Sequence, residues 1–175
     1  MSDDFLRVYE DHVWRVYGYF AYRVRSRADA EDLTQVTFER AFAAWDRYDP
    51  QRGEITTWLF TIARNALTDY GRRKRARPYR TVPLENVAEG DLGTDQGPEE
   101  RLGMDPDLAA ALERLSRRER GLLALRFGGD LRAPEIAELT GLSVANVHQI
   151  LSRALRRLRT LLRPEGEDED EGATG

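Results

Sequence analysis

The sequence contains no cysteine and only two histidines among its 175 residues. The missing cysteine excludes a disulfide framework, a thiolate-bound metal site and a thiol nucleophile. His12 and His148 have no partner at a ligand spacing, so a histidine-based metal or catalytic cluster is not expected. No window approaches the roughly 18 apolar residues of a membrane span, and the early Ser2-Asp3-Asp4 is unlike a secretory signal. We therefore expect a cytoplasmic protein without a metal, cofactor or membrane insertion.

Charge is unevenly distributed along the chain, although the net charge is only −4. Residues 1–80 carry a net charge of +3 and residues 108–163 a net charge of +6. Residues 81–107 carry −7 and residues 164–175 carry −6. Two basic blocks rich in apolar residues thus alternate with two acidic blocks that have few. This pattern favours two modules that bind polyanions.

Helical periodicity runs through both basic blocks, whereas no stretch alternates with the period of two that is typical of a strand. In the first block an apolar stripe starts at Phe5, and two further helices are predicted over Asp29–Trp45 and about Thr56–Arg75. In the second block, helix-start signals precede four helices: Asp105-Pro106, the capping box Ser116 to Glu119, Pro134, and the turn before Val144. The sequence therefore predicts an all-α fold.

Proline, glycine and charge runs mark the domain boundaries. We predict two small helical domains, residues 1–77 and 105–163, the second with four helices. A flexible acidic linker is expected over residues 78–104, where proline and glycine are frequent and large apolar residues are few. The like-charged tail, residues 164–175, is expected to be disordered.

The second domain carries the pattern of a helix-turn-helix. Ala137 supplies the small residue where two helices cross, Gly141 can adopt positive φ in the turn, and Val147 and Ile150 pin the second helix on the first. Asparagine, glutamine and arginine can read base edges in the major groove. The predicted reading face consists of Ser143, Asn146, His148, Gln149, Ser152, Arg153 and Arg156.

Several segments, in this order, resemble the extracytoplasmic-function (ECF) group of bacterial sigma-70-type sigma factors. They are Asp29–Gln35, then Phe38 and Arg40–Phe42, then Thr57–Asn65, Glu135–Leu139 and Leu151–Ala154. The resemblance spans both basic blocks and covers nearly everything except the linker and the tail. It implies a first domain that recognises the minus 10 promoter element and a second that recognises the minus 35 element. Both domains would bind core RNA polymerase through its β′ and β subunits.

The resemblance also implies residue roles in the first domain. Asp32 and Gln35 match positions that contact the β′ subunit, and the loop that starts at Tyr48 matches one that traps an unstacked base. The implied minus 10 contacts are Tyr48, Asp49, Arg52, Arg64, Asn65, Thr68, Arg72 and Arg73. An anti-sigma factor is a further expected partner.

Other residues have structural interpretations. Trp14, Trp45 and Trp58 lie on apolar stripes and are expected to pack in the core, and His12 is expected to be an ordinary helix residue. No phosphate loop or activated nucleophile is visible, so the protein is predicted not to be an enzyme. Two alternatives stay open: a stand-alone helix-turn-helix repressor or activator, and a small nuclease.

Overall fold

The computed structural model describes residues 3–76 and 104–163, and all regular structure in these two ranges is helical. We number the α-helices in chain order and call residues 3–76 the first lobe and residues 104–163 the second lobe. The helices are α1 (Asp3–Ala21), α2 (Arg27–Ala43), α3 (Ile55–Ala76), α4 (Pro106–Glu113), α5 (Arg117–Leu123), α6 (Ala133–Thr140) and α7 (Val144–Leu162). The all-α prediction is confirmed. The linker and tail predictions concern residues outside the described ranges, apart from Met104.

The first lobe is a three-helix unit. Helix α2 begins two residues earlier than expected because Ser26 caps it, its hydroxyl accepting a hydrogen bond from the Asp29 amide at 3.3 Å. A short 3₁₀ turn, Trp45–Arg47, follows α2 and leads into the loop before α3. Phe20 and Phe60 are fully buried where the helices meet. These two rings belong to the aromatic part of the core.

In the second lobe, the predicted caps are present. Asp105 accepts hydrogen bonds from the Asp107 and Leu108 amides, with Pro106 in the first turn of α4. Ser116 and Glu119 form a reciprocal capping box that starts α5. Each cap supplies a partner for amides that a helix leaves unpaired at its start. Helices α4, α5 and α6 pack around α7, which confirms the four-helix domain.

The end of α5 differs from the prediction that glycines 128 and 129 simply stop the helix. The chain first continues as a π-helical turn, Ala124–Gly128, which the Gly129 amide closes by donating to the Ala124 carbonyl at 2.8 Å. Such turns widen the helix by one residue and are frequently found at functional positions. Here the turn packs against α1 of the first lobe.

The buried core is continuous across the two lobes. Helix α1 packs on the π-helical turn and α3 packs on α6, and we call this contact the seam. Gly18 of α1 meets Gly128 backbone to backbone. The Arg15 guanidinium donates to the carbonyls of Gly129 at 2.9 Å and Asp130 at 3.0 Å. The two domains expected from the sequence thus form one closed arrangement.

Two predictions about single residues have different outcomes. Trp14 was expected in the core, but 76% of its surface is exposed, so that prediction is wrong. His12 has the structural role that was expected. It is buried between the Val8 carbonyl, 3.0 Å from Nδ1, and the Thr56 hydroxyl, 3.3 Å from Nε2.

Candidate nucleic-acid interface

Helices α6 and α7 form the predicted helix-turn-helix. Gly141 ends α6 with φ of 70° in the left-handed region, and its amide donates to the Ala137 carbonyl at 2.9 Å. Glycine adopts this conformation without the steric cost that a Cβ atom brings. Ser143 then caps α7 by accepting from the Asn146 amide at 3.2 Å. Val147, fully buried, anchors α7 on α6.

On the outer face of α7, all of the predicted reading residues are exposed. They are Ser143, Asn146, His148, Gln149, Ser152, Arg153 and Arg156. Arg157 lies beside this face but is drawn towards α5 by an ion pair with Glu119 at 3.5 Å. The face thus combines amide groups near the start of the helix with guanidinium groups further along. That is the distribution needed to read base edges and to contact phosphates.

The loop between α2 and α3 is held by its own polar groups. The Tyr48 hydroxyl donates to the Gly53 carbonyl at 3.2 Å, and Asp49 accepts from the Gln51 amide at 2.9 Å. Partial burial raises the pKa of the Tyr48 phenol, and the Glu54 and Asp49 carboxylates act in the same direction. The phenol therefore stays a neutral hydrogen-bond donor at physiological pH.

An aromatic cluster stands behind this loop. The Tyr48 ring stacks on Trp45 with centroids 5.5 Å apart, and Trp58 closes the cluster 5.0 Å from Tyr48. Trp45 and Trp58 are partly buried against the core, as predicted. A cavity of about 270 Å³ opens between the loop and Thr57, and Glu138 of the second lobe forms one of its walls. Arg52 lies at its edge. The loop, the aromatic rings and the cavity are brought together in the way that binding of an unstacked base requires.

The polar face of α3 continues from this cavity. Asn65, Thr68, Arg72 and Arg73 are exposed along it. Arg64 is different because its guanidinium donates to the Leu139 carbonyl at the end of α6. One of the residues predicted to contact the minus 10 element, Arg64, is therefore already bound to the second lobe.

A second seam contact lies next to Arg64. The Thr57 hydroxyl donates to the Glu138 carboxylate at 3.2 Å. Glu138 thus places a negative charge beside the loop cavity, where it would repel a phosphate group. Arg64 could not be recognised as a seam residue from the sequence, since a contact with a backbone carbonyl leaves no side-chain signature. Glu138 could not either, because its partner Thr57 lies 81 residues away in the chain.

The two predicted polymerase contacts, Asp32 and Gln35, are both exposed on α2. The Gln35 amide donates to Glu39 at 2.8 Å. Gln35 lines a groove of about 530 Å³ between α1 and α2, on whose other side lies Trp14. The Trp14 ring contacts only Tyr17 edge-on, with centroids 6.0 Å apart, among the aromatic pairs of the described chain. Sequence reasoning missed Trp14 because a tryptophan at helical spacing is usually a core residue.

Metal and membrane sites do not compete with this interpretation in the described part of the chain. No three histidine, cysteine, aspartate or glutamate side chains of residues 3–76 and 104–163 cluster in a way that could hold a metal ion. Among the helices of the same ranges, none is long and apolar enough to cross a membrane.

Comparisons with known proteins agree with the geometry. The family profile for sigma-70 region 2 matches residues 8–77, and that for sigma-70 region 4 matches residues 111–160. The ECF RNA polymerase sigma factor BldN of Streptomyces coelicolor is 32% identical over 162 residues, covering 92% of this chain and 61% of BldN. The ECF RNA polymerase sigma factor RpoE of Cereibacter sphaeroides is 30% identical over 159 residues, covering 89% of this chain and 84% of RpoE.

A solved structure shows the same arrangement of helices. The sigma factor RpoE of Bartonella quintana, in complex with the anti-sigma factor NepR, aligns with a TM-score of 0.67 at 25% identity. The alignment covers 94% of this chain and 99% of that one. The chain belongs to the sigma-70 family of RNA polymerase sigma factors. Within that family it belongs to the ECF group.

Proposed function

We propose that this protein binds core RNA polymerase and directs it to promoters that carry a minus 35 and a minus 10 element. The observation that carries this proposal is the pairing, in one chain, of an exposed helix-turn-helix face with a second basic helix beside an aromatic loop cavity. The protein supplies binding energy and position, and the polymerase supplies the catalysis. We place its action in the cytoplasm, with the polymerase.

In this proposal residues 105–163 read the minus 35 element as duplex. Helix α7 enters the major groove with its amino-terminal end, where Asn146 and Gln149 can form paired hydrogen bonds with base edges. Arg153 and Arg156 follow one and two turns later and reach further bases or the phosphates. The Ser143 hydroxyl oxygen accepts the capping hydrogen bond of α7, and its proton can therefore be donated to a phosphate.

Residues 1–77 recognise the melted minus 10 element. Removing a base from the stack costs a few kcal/mol, which contacts with aromatic and cationic groups can offset. The cavity beside Tyr48 and Arg52 offers the base site, and Asn65, Thr68, Arg72 and Arg73 continue along α3 to hold the strand. Asp49 orders the loop through its hydrogen bond with the Gln51 amide.

Asp32 and Gln35 contact the β′ subunit in this proposal, and the groove beside them extends the contact to Trp14. An exposed tryptophan next to polar groups is typical of the centre of a protein interface. An anti-sigma factor is a further proposed partner, and the complex of Bartonella quintana RpoE with NepR supports this class of partner.

The seam adds a condition to this mechanism. While Arg64 donates to Leu139 and Glu138 lies at the loop cavity, melted DNA cannot occupy the whole predicted minus 10 face. Binding of both promoter elements therefore requires the lobes to separate. We propose that core polymerase separates them, so the free protein binds promoters weakly.

A gel-shift experiment with and without core polymerase tests the proposal. We expect weak binding by the protein alone and promoter-specific binding by the holoenzyme. Tight, salt-sensitive binding of a palindrome by the protein alone would instead identify a stand-alone repressor or activator. Magnesium-dependent degradation of the DNA would identify a nuclease. Run-off transcription on a promoter library then tests initiation and sequence preference together.

A further inference from the structure

A small cavity lies on the seam and is surrounded by positive charge. Its volume is about 60 Å³, and its cationic lining residues come from both lobes. Arg23, Arg25 and Lys74 belong to the first lobe, whereas Arg117 and Arg120 belong to α5 of the second lobe. Since one water needs roughly 10–15 Å³ of such space, the cavity is large enough for several waters or one tetrahedral oxyanion.

Two of these cations are paired with carboxylates. Arg25 forms an ion pair across the seam with Glu113 at 3.2 Å, and Lys74 pairs with Asp29 at 3.3 Å. Asp29 also accepts a hydrogen bond from the hydroxyl of Tyr70, which lines the cavity, at 2.6 Å.

The other three cations, Arg23, Arg117 and Arg120, form no ion pair within the described chain. The only hydrogen bond that links them is the one Arg23 donates to the Arg117 carbonyl at 3.2 Å. Three like charges therefore remain together at a contact between two lobes.

Arg23 is the most constrained of the three. Its Nε is buried and has no hydrogen-bond partner among the described residues. Burial lowers the pKa of the Arg23 guanidinium, and the neighbouring Arg117 and Arg64 act in the same direction. Burial also lowers the pKa of Arg120, and Arg23 adds to this effect, whereas the Glu113 carboxylate opposes it. A guanidinium charge without an anionic partner, with its Nε buried and unsatisfied, is costly, so the fold gains stability if an anion enters this cavity.

We propose that this cavity binds the phosphate group of a small anion and that binding favours the closed arrangement of the lobes. Guanidinium groups offer forked donors that match phosphate oxygens, and three of them converge here. Because the donors come from both lobes, the site exists only while the seam is closed. A ligand that binds one arrangement alone shifts the population towards it. The anion would then oppose opening of the predicted minus 10 face.

Titration calorimetry of the full chain with pyrophosphate, at constant ionic strength, tests the site. We expect one bound anion per chain and a higher Tm in its presence. Arg120→Gln should weaken binding by about tenfold, the usual effect of losing one charge-assisted hydrogen bond. Arg118→Gln is the matched control because it removes the same charge from the same helix without lining the cavity. Arg117→Gln, at an exposed position, replaces Arg120→Gln if that variant does not fold.

Two further arms identify the source of the phosphate. Binding of ADP but not of adenosine would assign a nucleotide phosphate, whereas binding of pyrophosphate alone would assign a free oligophosphate. Equal loss of binding in the Arg120→Gln and Arg118→Gln variants, or no binding of either anion, would overturn the proposal. Its regulatory part rests on the proposed function. Without added anion, Arg120→Gln is expected to give the same run-off transcription as the wild type. If the wild type itself fails to direct transcription, the proposed function is overturned but the anion site is not.

Discussion

The backbone of Gly18 in α1 lies directly against the backbone of Gly128 in the π-helical turn, and neither position has room for a Cβ atom. The guanidinium groups of Arg15 and Arg64 also donate hydrogen bonds across the seam. The close approach of the lobes therefore depends on two glycines that are 110 residues apart in the chain. This close approach also determines which part of α3 is accessible to DNA.

Gly18→Ala is expected to open the seam. In a solvent-exposed helix interior the same substitution stabilises by roughly 0.5–1 kcal/mol, because glycine has more conformational freedom to lose on folding. At Gly18 the added Cβ would meet the Gly128 carbonyl, and overpacking of this kind costs about 1–3 kcal/mol. We therefore expect a lower free energy of unfolding, measured with urea, and a larger radius of gyration in small-angle scattering.

Gly71→Ala is the matched control for this experiment. Gly71 lies in α3, and a Cβ there would have no neighbour within 4 Å, so the substitution should raise stability. If Gly18→Ala also raises stability and leaves the radius of gyration unchanged, the lobes are not held together in solution by this contact. Both variants replace a helical glycine with alanine, so they gain the same helix propensity. A difference in sign between their changes in unfolding free energy therefore reports the contact at the seam.

The helices of each lobe could be predicted from the sequence, but the seam could not. Ser116 and Glu119 have the spacing of a capping box, and Gly141 has the position of a left-handed turn, so local rules locate both. By contrast, Gly18 lies inside an amphipathic helix. The partners of Arg15 and Arg64 are backbone carbonyls, which every residue has, so no residue type in the sequence indicates them. Trp14 was misassigned for a related reason. Helical spacing groups Trp14 with the core residues of α1. Only the packing of α2 and α3 decides which apolar residues of α1 are buried.

Arg153→Ala should relax selectivity for the minus 35 element. Arg153 is exposed on the outer face of α7, and losing one base-reading arginine typically removes about 1–3 kcal/mol of discrimination. Run-off transcription by holoenzyme on promoters that differ only in the minus 35 element measures this. We expect the preference to fall by roughly tenfold. Arg114→Ala, which removes the exposed arginine that follows α4, should leave it unchanged, and equal effects of both variants would contradict the docking of α7.

Trp14→Ala should weaken binding to core polymerase with little effect on stability. Three quarters of the side chain is exposed, so its removal leaves no internal cavity, yet it lies across the groove from Gln35. Aromatic residues at the centre of an interface often contribute 2 kcal/mol or more, and we expect an affinity loss of about 30-fold in a competition assay for core polymerase. Leu162→Ala, at an exposed apolar position on α7, is the control. Unchanged affinity in Trp14→Ala would place the polymerase contact elsewhere.

His12 should make stability depend on pH near neutrality. Burial is the largest effect and lowers the pKa of His12 from the usual 6.5. The hydrogen bond with the Val8 carbonyl opposes this shift, the charge of Arg15 adds to it, and Asp11 opposes it more weakly. The neutral ring can donate from Nδ1 to Val8 and accept at Nε2 from the Thr56 hydroxyl. Protonation would put a hydrogen on Nε2 and remove that acceptor.

The sign of the effect follows from proton binding. Below pH 6.5 the unfolded chain binds a proton at His12 more readily than the folded chain, so the free energy of unfolding is highest above this pH and falls as the pH decreases. Glu119 does not interfere in this window. Although partial burial opposes its charge, hydrogen bonds from Ser116 and the charge of Arg157 lower its pKa from 4.5, so its contribution is lost only at more acidic pH.

Urea unfolding at pH 7.5 and pH 5.5 tests this with the two histidines of the chain. The wild type should lose stability between these pH values, and His12→Gln should lose less, whatever its absolute stability. His148→Gln removes the exposed histidine of α7 and should keep the wild-type difference. If His148→Gln instead abolished the pH dependence and His12→Gln preserved it, the proton would be taken up on the predicted DNA-reading face and not in the core of the first lobe.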